Sequence, residues 1–162
     1  MSITCHKRAR GSALVIAIFL LVALAALGAF IVSITSSQQI GSAYDIEGAR
    51  AYQAAHYGND WGMYQVLKST DISFLTACRA APYGAPTTSN LSGLAGSLSS
   101  FTVTVSCGAA SSVEGGATVW VYQIAANACN QPTTAGACPN TTAATVAGLG
   151  YVERRVSLTV AN

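Results

Sequence analysis

The clearest pattern in the sequence is an unbroken apolar run near its start. Residues 13–34 read ALVIAIFLLVALAALGAFIVSI, and no charged side chain occurs from Ser12 to Tyr44. A helix of about 20 apolar residues crosses the hydrocarbon core of a bilayer, and in lipid its backbone must satisfy its own hydrogen bonds. The pattern therefore predicts a transmembrane helix over residues 12–35.

Helical spacing continues beyond the apolar run, and no proline occurs before Pro82. Small and aromatic residues recur in two rows, Ile40, Tyr44, Ala51 and Ala55, and then Ala54, Tyr57, Trp61 and Tyr64. Such rows are typical of a helix that packs against a sheet or another helix. We predict that the helix continues as an amphipathic segment over residues 36–68, with Trp61 and Tyr64 in the core. The alternative is that these two aromatic side chains bind a ligand.

The remaining residues, 69–162, are predicted to form a small β domain. Residues 69–98 are rich in Ser, Thr, Gly and Pro, which predicts a loop. Three strands are predicted after it, over residues 101–107, 117–126 and 151–160, from period-two alternation or a high content of β-formers. Arg154 interrupts the apolar face of the last strand, and we expect it to reach the rim or pair with a carboxylate. The simplest assembly is an α+β fold, with the long N-terminal helix packed on a three-stranded antiparallel sheet.

The charges indicate how the chain is oriented and which partners it lacks. Charged residues make up only 9% of the sequence, and the formal net charge is +2. Three of the eight basic residues, Lys7, Arg8 and Arg10, precede the apolar run, so five basic and six acidic residues follow it. Basic residues on this side predict a cytoplasmic N-terminus, with the β domain across the membrane. The rest of the chain lacks the basic surface expected of a nucleic-acid-binding protein.

The sequence contains no pattern that indicates catalysis or metal binding. His56 is the one histidine after the first ten residues, and no two of the sparse carboxylates are placed for acid–base chemistry. The cysteines have none of the close spacings typical of zinc ligands, and no glycine-rich phosphate loop or nucleophile elbow is present. We therefore expect a protein that is not an enzyme and that has no metal and no cofactor.

The junction between the basic residues and the apolar run resembles a type IV prepilin cleavage site. It reads Arg10-Gly11-Ser12-Ala13-Leu14-Val15, a basic leader that ends in glycine directly before a long apolar stretch. The resemblance implies that a prepilin peptidase cuts after Gly11, removes residues 1–11 as a leader peptide and N-methylates Ser12. It also implies a type IV pilin-like fold. An ordinary signal peptide, cut near Ala25–Ala29, is the alternative.

The fifth residue after the implied cut departs from the pattern of the major pilins. Most members carry glutamate there, and its carboxylate is thought to neutralise the terminal amine of the neighbouring subunit within the filament. This chain has Ile16 at that position. Because a buried charge needs a partner, a subunit without the carboxylate suits a place with no subunit ahead of it. The hypothesis is a minor subunit at the filament tip or in the priming complex; the alternative is that Ile16 only improves membrane retention.

The N-terminal half narrows the resemblance to the minor pilins of the PilX and MshP group. The stretch Gly48–Leu67 reads GARAYQAAHYGNDWGMYQVL, and its Ala-Ala-x-x-Gly-x-x-Trp-Gly pattern is similar to the MshP-like members, which belong to the mannose-sensitive haemagglutinin (MSHA) pilus. The C-terminal Tyr151–Val156 also resembles the closing strand of this group. The implied partners are a prepilin peptidase, other minor and major pilins, and the inner-membrane assembly platform. The implied location is the bacterial inner membrane, with a periplasmic C-terminal domain, and then the pilus.

Four of the five cysteines lie on the predicted periplasmic side, and Cys5 lies in the leader. An even number of cysteines in an exported domain favours disulfides, and four cysteines allow three connectivities. The preferred pairs are Cys129–Cys138, a local clasp within a loop, and Cys78–Cys107, which would tie the segment after the helix to the first predicted strand. Two further functions stay open, the tip pseudopilin of a type II secretion system and a membrane-anchored binding module that never polymerises.

Overall fold

A computed structural model of the protein describes residues 12–162. Its helices are α1 (Ser12–Leu67), α2 (Ser73–Ala80) and the short α3 (Ala143–Val146), with a 3-10 turn at Gly96–Leu98. Its strands are β1 (Thr87–Leu91), β2 (Thr102–Glu114), β3 (Ala117–Cys129) and β4 (Glu153–Ala161). The chain divides into two units, Met1–Ala43 and Tyr44–Asn162. The second, called the C-terminal unit below, contains the sheet and the last part of α1.

The sheet is antiparallel throughout, with the strand order β1-β2-β3-β4. Its central ladder joins β2 and β3 from the Glu114–Ala117 pair to the Thr102–Cys129 pair. The turn between these strands is Gly115-Gly116, with φ of 59° and 82°. Two consecutive residues with positive φ match the type I′ turns that suit the right-handed twist of paired strands, and glycine adopts them without strain.

The core of the C-terminal unit lies between α1 and one face of the sheet. Helix α1 contributes small residues, while the strands contribute the larger side chains. The fully buried members include Ala51, Ala54 and Ala55 of α1, Val103, Val105 and Cys107 of β2, and Tyr122, Ile124, Ala126 and Ala128 of β3. Residues at alternate positions of β2 and β3 face the helix, so the side chains between them lie on the opposite, outer face of the sheet.

The α+β class with a long N-terminal helix is confirmed, but the sheet has four strands instead of the predicted three. Residues 69–98, predicted to be a loop, contain α2 and β1. Strand β1 was missed because it reads Thr-Thr-Ser-Asn-Leu, with hydroxyl side chains where an alternating pattern would place apolar ones. Its pairing with β2 comes from tertiary contacts that a local pattern does not encode.

The other strands are present, with bounds that differ from the predicted ones. Strand β2 continues past residue 107 to Glu114, β3 continues past residue 126 to Cys129, and β4 begins at Glu153. Residues 108–112 of β2 are small or hydroxyl-bearing, so this continuation of the strand has no apolar alternation. The two-residue turn extends the hairpin into a region that sequence patterns assign to a connection.

Trp61 packs against the core as expected, but the tyrosines of α1 were wrongly placed there. Tyr57 and Tyr64 are 50% and 55% exposed, whereas Ala51, Ala54 and Ala55 are fully buried. Ile40 and Tyr44 are also exposed. The face of α1 that packs on the sheet is made of small residues because the helix backbone lies close to the strands.

Candidate anchoring helix and binding surfaces

The apolar part of α1 leaves its side chains uncovered. The large apolar residues from Leu14 to Ile34 have 42–69% of their surface exposed. Among residues 12–162, α1 is the one helix with the length and composition needed to cross a membrane. An exposed apolar surface of this extent requires lipid or other protein helices to cover it.

The residues at the proposed processing site lie at the edge of the described part of the chain. Gly11 lies outside it, and Ser12 is the first residue of α1. Ile16 lies within the first turns of the helix and is 56% exposed. The first acidic side chain in the helix is Asp45, so the apolar part of α1 carries no carboxylate.

The contact between α1 and the sheet depends on two glycines. A Cβ atom at Gly58 would lie 2.5 Å from Val103 Cγ1 and 2.9 Å from Ala126 Cβ. At Gly62 it would lie 2.9 Å from Ile124 Cγ2. Real Cβ atoms do not approach neighbours this closely, so these positions accept only a hydrogen atom. The Ala-Ala-x-x-Gly-x-x-Trp-Gly pattern is therefore a packing pattern in this fold.

Arg154 lies beside another glycine of α1. Its Nη2 is 3.0 Å from where a Cβ at Gly48 would lie, and its Nη1 donates a hydrogen bond to the carbonyl oxygen of Glu153. Of the two expectations for this side chain, pairing with a carboxylate is wrong. The ion pair seen in the described residues joins Arg50 and Glu47 on α1.

The structure contains disulfides Cys78–Cys107 and Cys129–Cys138, the two pairs preferred from the sequence. The first joins α2 to the helix-facing side of β2, and both of its cysteines are fully buried. Arg79, next along α2, donates from Nε to the hydroxyl of buried Tyr122 at 2.8 Å and lies 5.0 Å from the centre of the Trp120 ring. Helix α2 is thus held on the sheet by a covalent bond and a charged contact.

The second disulfide holds the loop after β3 over the outer face of the sheet. The backbone N–H of Cys138 donates to Thr104 Oγ1 at 2.8 Å, and buried Asn140 donates from Nδ2 to the carbonyl oxygen of Gln131. The hydroxyl of Tyr151 accepts from the Asn140 N–H and donates to Glu153. Burial, followed by the bond to Glu153, raises the pKa of Tyr151 above its ordinary value.

An open groove of about 310 Å³ lies between α1, α2 and β1. Trp61 and Phe74 form one wall, with ring centroids 5.0 Å apart and planes at 66°. Trp61 is therefore half-buried and packed, yet it still reaches the groove. Polar side chains, among them Gln65, Asp71 and those of β1, complete the lining.

The Asp71 carboxylate is the charged group of this groove. It accepts a hydrogen bond from the Ser73 N–H at 2.9 Å, at the start of α2. This bond, followed by one from the Ser73 side chain, lowers the pKa of Asp71 below its ordinary value of 3.8. The group is therefore ionised at neutral pH, and the groove carries negative charge.

Across residues 12–162, no three His, Cys, Asp or Glu side chains come together as a metal site. Asn59 is buried within α1, and its Oδ1 has no hydrogen-bond partner in this part of the chain. Comparison of the chain with protein-family models, curated proteins and solved structures gives no match in any of the three.

The groove and α2 are the features of the candidate surface that sequence reasoning missed. Asp71-Ile72-Ser73 is a helix-start signal, because an Asp side chain can accept from the backbone N–H groups of a first helical turn. That signal could have located α2. The groove itself forms only where three elements distant in sequence meet.

Proposed function

We propose that this protein is a minor type IV pilin, similar to the MshP-like members of the PilX and MshP group. A prepilin peptidase removes residues 1–11 and methylates Ser12, and the apolar helix anchors the chain in the bacterial inner membrane. The C-terminal unit then lies in the periplasm, and the mature protein enters the pilus at its tip or within the priming complex.

The observation that carries this proposal is the character of α1. An exposed apolar helix begins at Ser12, directly after Gly11, and residues 44–67 of the same helix pack on an antiparallel sheet. A helix that only anchors the chain needs no such continuation. A pilin needs both parts, because the apolar part must pass from lipid into a filament core while the rest organises the domain at the filament surface.

The passage of the helix from lipid into a filament core explains why the apolar part of α1 is apolar on all sides. In the bilayer its side chains contact acyl chains, and in a filament they contact the apolar helices of other pilins. Neither environment supplies water, so every exposed side chain from Leu14 to Ile34 can keep an apolar neighbour. The assembly platform and the other pilins are the partners that this transfer requires.

The proposal is tested at the bond between Gly11 and Ser12. The full chain is expressed with and without a prepilin peptidase, and its N-terminus is determined by intact mass and peptide sequencing. We expect a mature chain that begins at N-methylated Ser12 only when the peptidase is present. Gly11→Val should abolish the cut, because the peptidase recognises the glycine.

Gly28→Ala is the matched control, since a Cβ at Gly28 meets nothing within 4 Å. It should be processed like the unchanged chain. A chain that starts at Met1 in the presence of the peptidase would favour a non-polymerising membrane anchor. A cut near Ala29 would indicate an ordinary secreted domain. Either result contradicts the proposal.

A further inference from the structure

Strand β1 presents an open edge of the sheet. It pairs with β2 on one side, and no backbone hydrogen bond within residues 12–162 reaches its other side. In an antiparallel ladder, the N–H and C=O groups of alternate residues point away from the paired neighbour. The outer side of β1 therefore offers a row of donors and acceptors to another strand.

The two edges of the sheet differ in how they are protected. Strand β4 carries Glu153, Arg154 and Arg155 along its first residues, and charged side chains discourage the addition of another strand. Strand β1 contains neither a charged residue nor a proline. The open edge of β1 is thus the better acceptor for an incoming strand.

The groove described above runs along this edge. Thr87 and Ser89 of β1 face the helices, because they pair with Cys107 and Val105, whose side chains lie in the core. A strand added next to β1 would lie about 4.8 Å away and would direct alternate side chains to the same face. Those side chains would enter the groove against Trp61 and Phe74.

Several polar groups of the groove have no partner within the described residues. They are the indole N–H of Trp61, the side-chain amide of Gln65 and the hydroxyls of Thr87 and Ser89. The one charged side chain in the lining is the Asp71 carboxylate. A cationic side chain with an aliphatic stem fits this lining, because its stem can lie on the Trp61 ring while its head reaches the carboxylate.

We propose that the β1 edge and its groove bind an extended peptide segment of another protein, which adds to the sheet as a fifth strand and places a lysine or arginine side chain against Trp61 and Asp71. Main-chain hydrogen bonds to β1 supply much of the affinity, and the groove selects the basic residue. This inference does not depend on the proposed pilin function.

The test uses the full chain in detergent micelles with Trp120→Phe, so that Trp61 is the remaining tryptophan. The probes are capped peptides of about seven residues, the length of a short strand, that alternate threonine and valine around one central lysine, glutamate or norleucine. We expect the lysine peptide to shift the Trp61 emission saturably and to slow amide exchange in residues 87–91. The glutamate peptide and a lysine peptide with methylated backbone nitrogens should bind at least about tenfold more weakly.

Asp71→Asn keeps an acceptor for the Ser73 N–H and removes the charge. It should weaken the lysine peptide about tenfold and leave the norleucine peptide unchanged. Asp60→Asn, an exposed carboxylate of α1 outside the groove, is the matched control and should have no effect.

Three outcomes would overturn the proposal. The first is equal affinity for the lysine and glutamate peptides, and the second is amide protection in β4 or in no strand. The third is a saturable shift of Trp61 emission by a neutral oligosaccharide with none by the lysine peptide, which would identify the groove as a carbohydrate site.

Discussion

Gly58 determines how closely α1 approaches the sheet. The Ala126 Cβ, which lies on the sheet opposite this glycine, has no rotamer by which it could move away. Alanine stabilises a helix by roughly 1 kcal/mol relative to glycine, so an unobstructed glycine-to-alanine change would be favourable. At Gly58 this gain is opposed by overpacking, which typically costs 1–3 kcal/mol.

We predict that Gly58→Ala lowers the free energy of unfolding of the C-terminal unit by about 1–2 kcal/mol, because a Cβ only 2.5 Å from Val103 Cγ1 puts the overpacking cost in the upper part of its range, above the helix-propensity gain. Gly62→Ala should lower it less, since a Cβ there comes no closer than 2.9 Å to a neighbour, against 2.5 Å at Gly58. Gly84→Ala, where a Cβ meets nothing within 4 Å, is the control and should change it little. Urea denaturation followed by circular dichroism measures all three, and a Gly58→Ala chain as stable as the control would contradict the packing argument.

At the scale of elements, the two disulfides perform different tasks. Cys78–Cys107 closes a separation of 29 residues and attaches α2 to the sheet, while Cys129–Cys138 closes a separation of 9 within one loop. In the chain-entropy account, a disulfide that closes a longer loop removes more entropy from the unfolded chain and therefore stabilises the fold more. The groove beside β1 also depends on α2, so the first disulfide supports a surface as well as the core.

We therefore predict that replacing Cys78 and Cys107 by alanine lowers the free energy of unfolding by roughly 3–4 kcal/mol. Replacing Cys129 and Cys138 should lower it by roughly 2–3 kcal/mol. Denaturation of the two double variants, with the unchanged oxidised chain as reference, gives both values. A larger loss for the Cys129 and Cys138 variant would show that native contacts around the loop after β3 determine the stabilisation by the disulfides, and that chain entropy does not.

The elements differ in how far the sequence predicts them. The apolar run predicts α1 because its signal is local and long, and the alternating apolar residues of β2 and β4 predict strands. Strand β1 is stabilised as a strand by its pairing with β2, and its hydroxyl side chains give no such signal. The groove could not be predicted, because Trp61, Phe74 and Ser89 become neighbours only through the tertiary fold. For the same reason, Tyr57 and Tyr64 were assigned to the wrong side of α1.

At the scale of the whole molecule, the apolar helix must fit both the bilayer and the filament core if the chain is a pilin. The fifth residue of the mature chain then decides which place in the filament it can take. A carboxylate there would neutralise the amine of the neighbouring subunit, and Ile16 cannot. Under the proposed function, the absence of this group suits the subunit to a position with no subunit ahead of it.

We predict that Ile16→Glu increases the amount of this protein in sheared pili several-fold, in cells that assemble the corresponding pilus, because the carboxylate satisfies the buried amine. Ile18→Glu introduces the same charge at a position that does not meet the amine, and it should give no increase. Immunoblots of sheared filaments, normalised to the membrane fraction, measure the ratio. Equal recovery of the two variants would contradict a tip position set by Ile16.

The register of the central hairpin also decides which cysteines can meet during oxidation. Cys107 pairs with Ile124 and faces α1, whereas Cys129 pairs with Thr102 and lies on the opposite face. Along the strand, Thr102 and Cys107 are roughly 17 Å apart, far beyond the span of a disulfide. Once the Gly115-Gly116 turn has closed the hairpin, a bond between Cys107 and Cys129 is excluded, and the contact of Cys138 with Thr104 brings Cys138 to Cys129. The strand register thus excludes the connectivity that contains a Cys107–Cys129 bond, while the contact of the loop after β3 with Thr104 favours the Cys129–Cys138 bond.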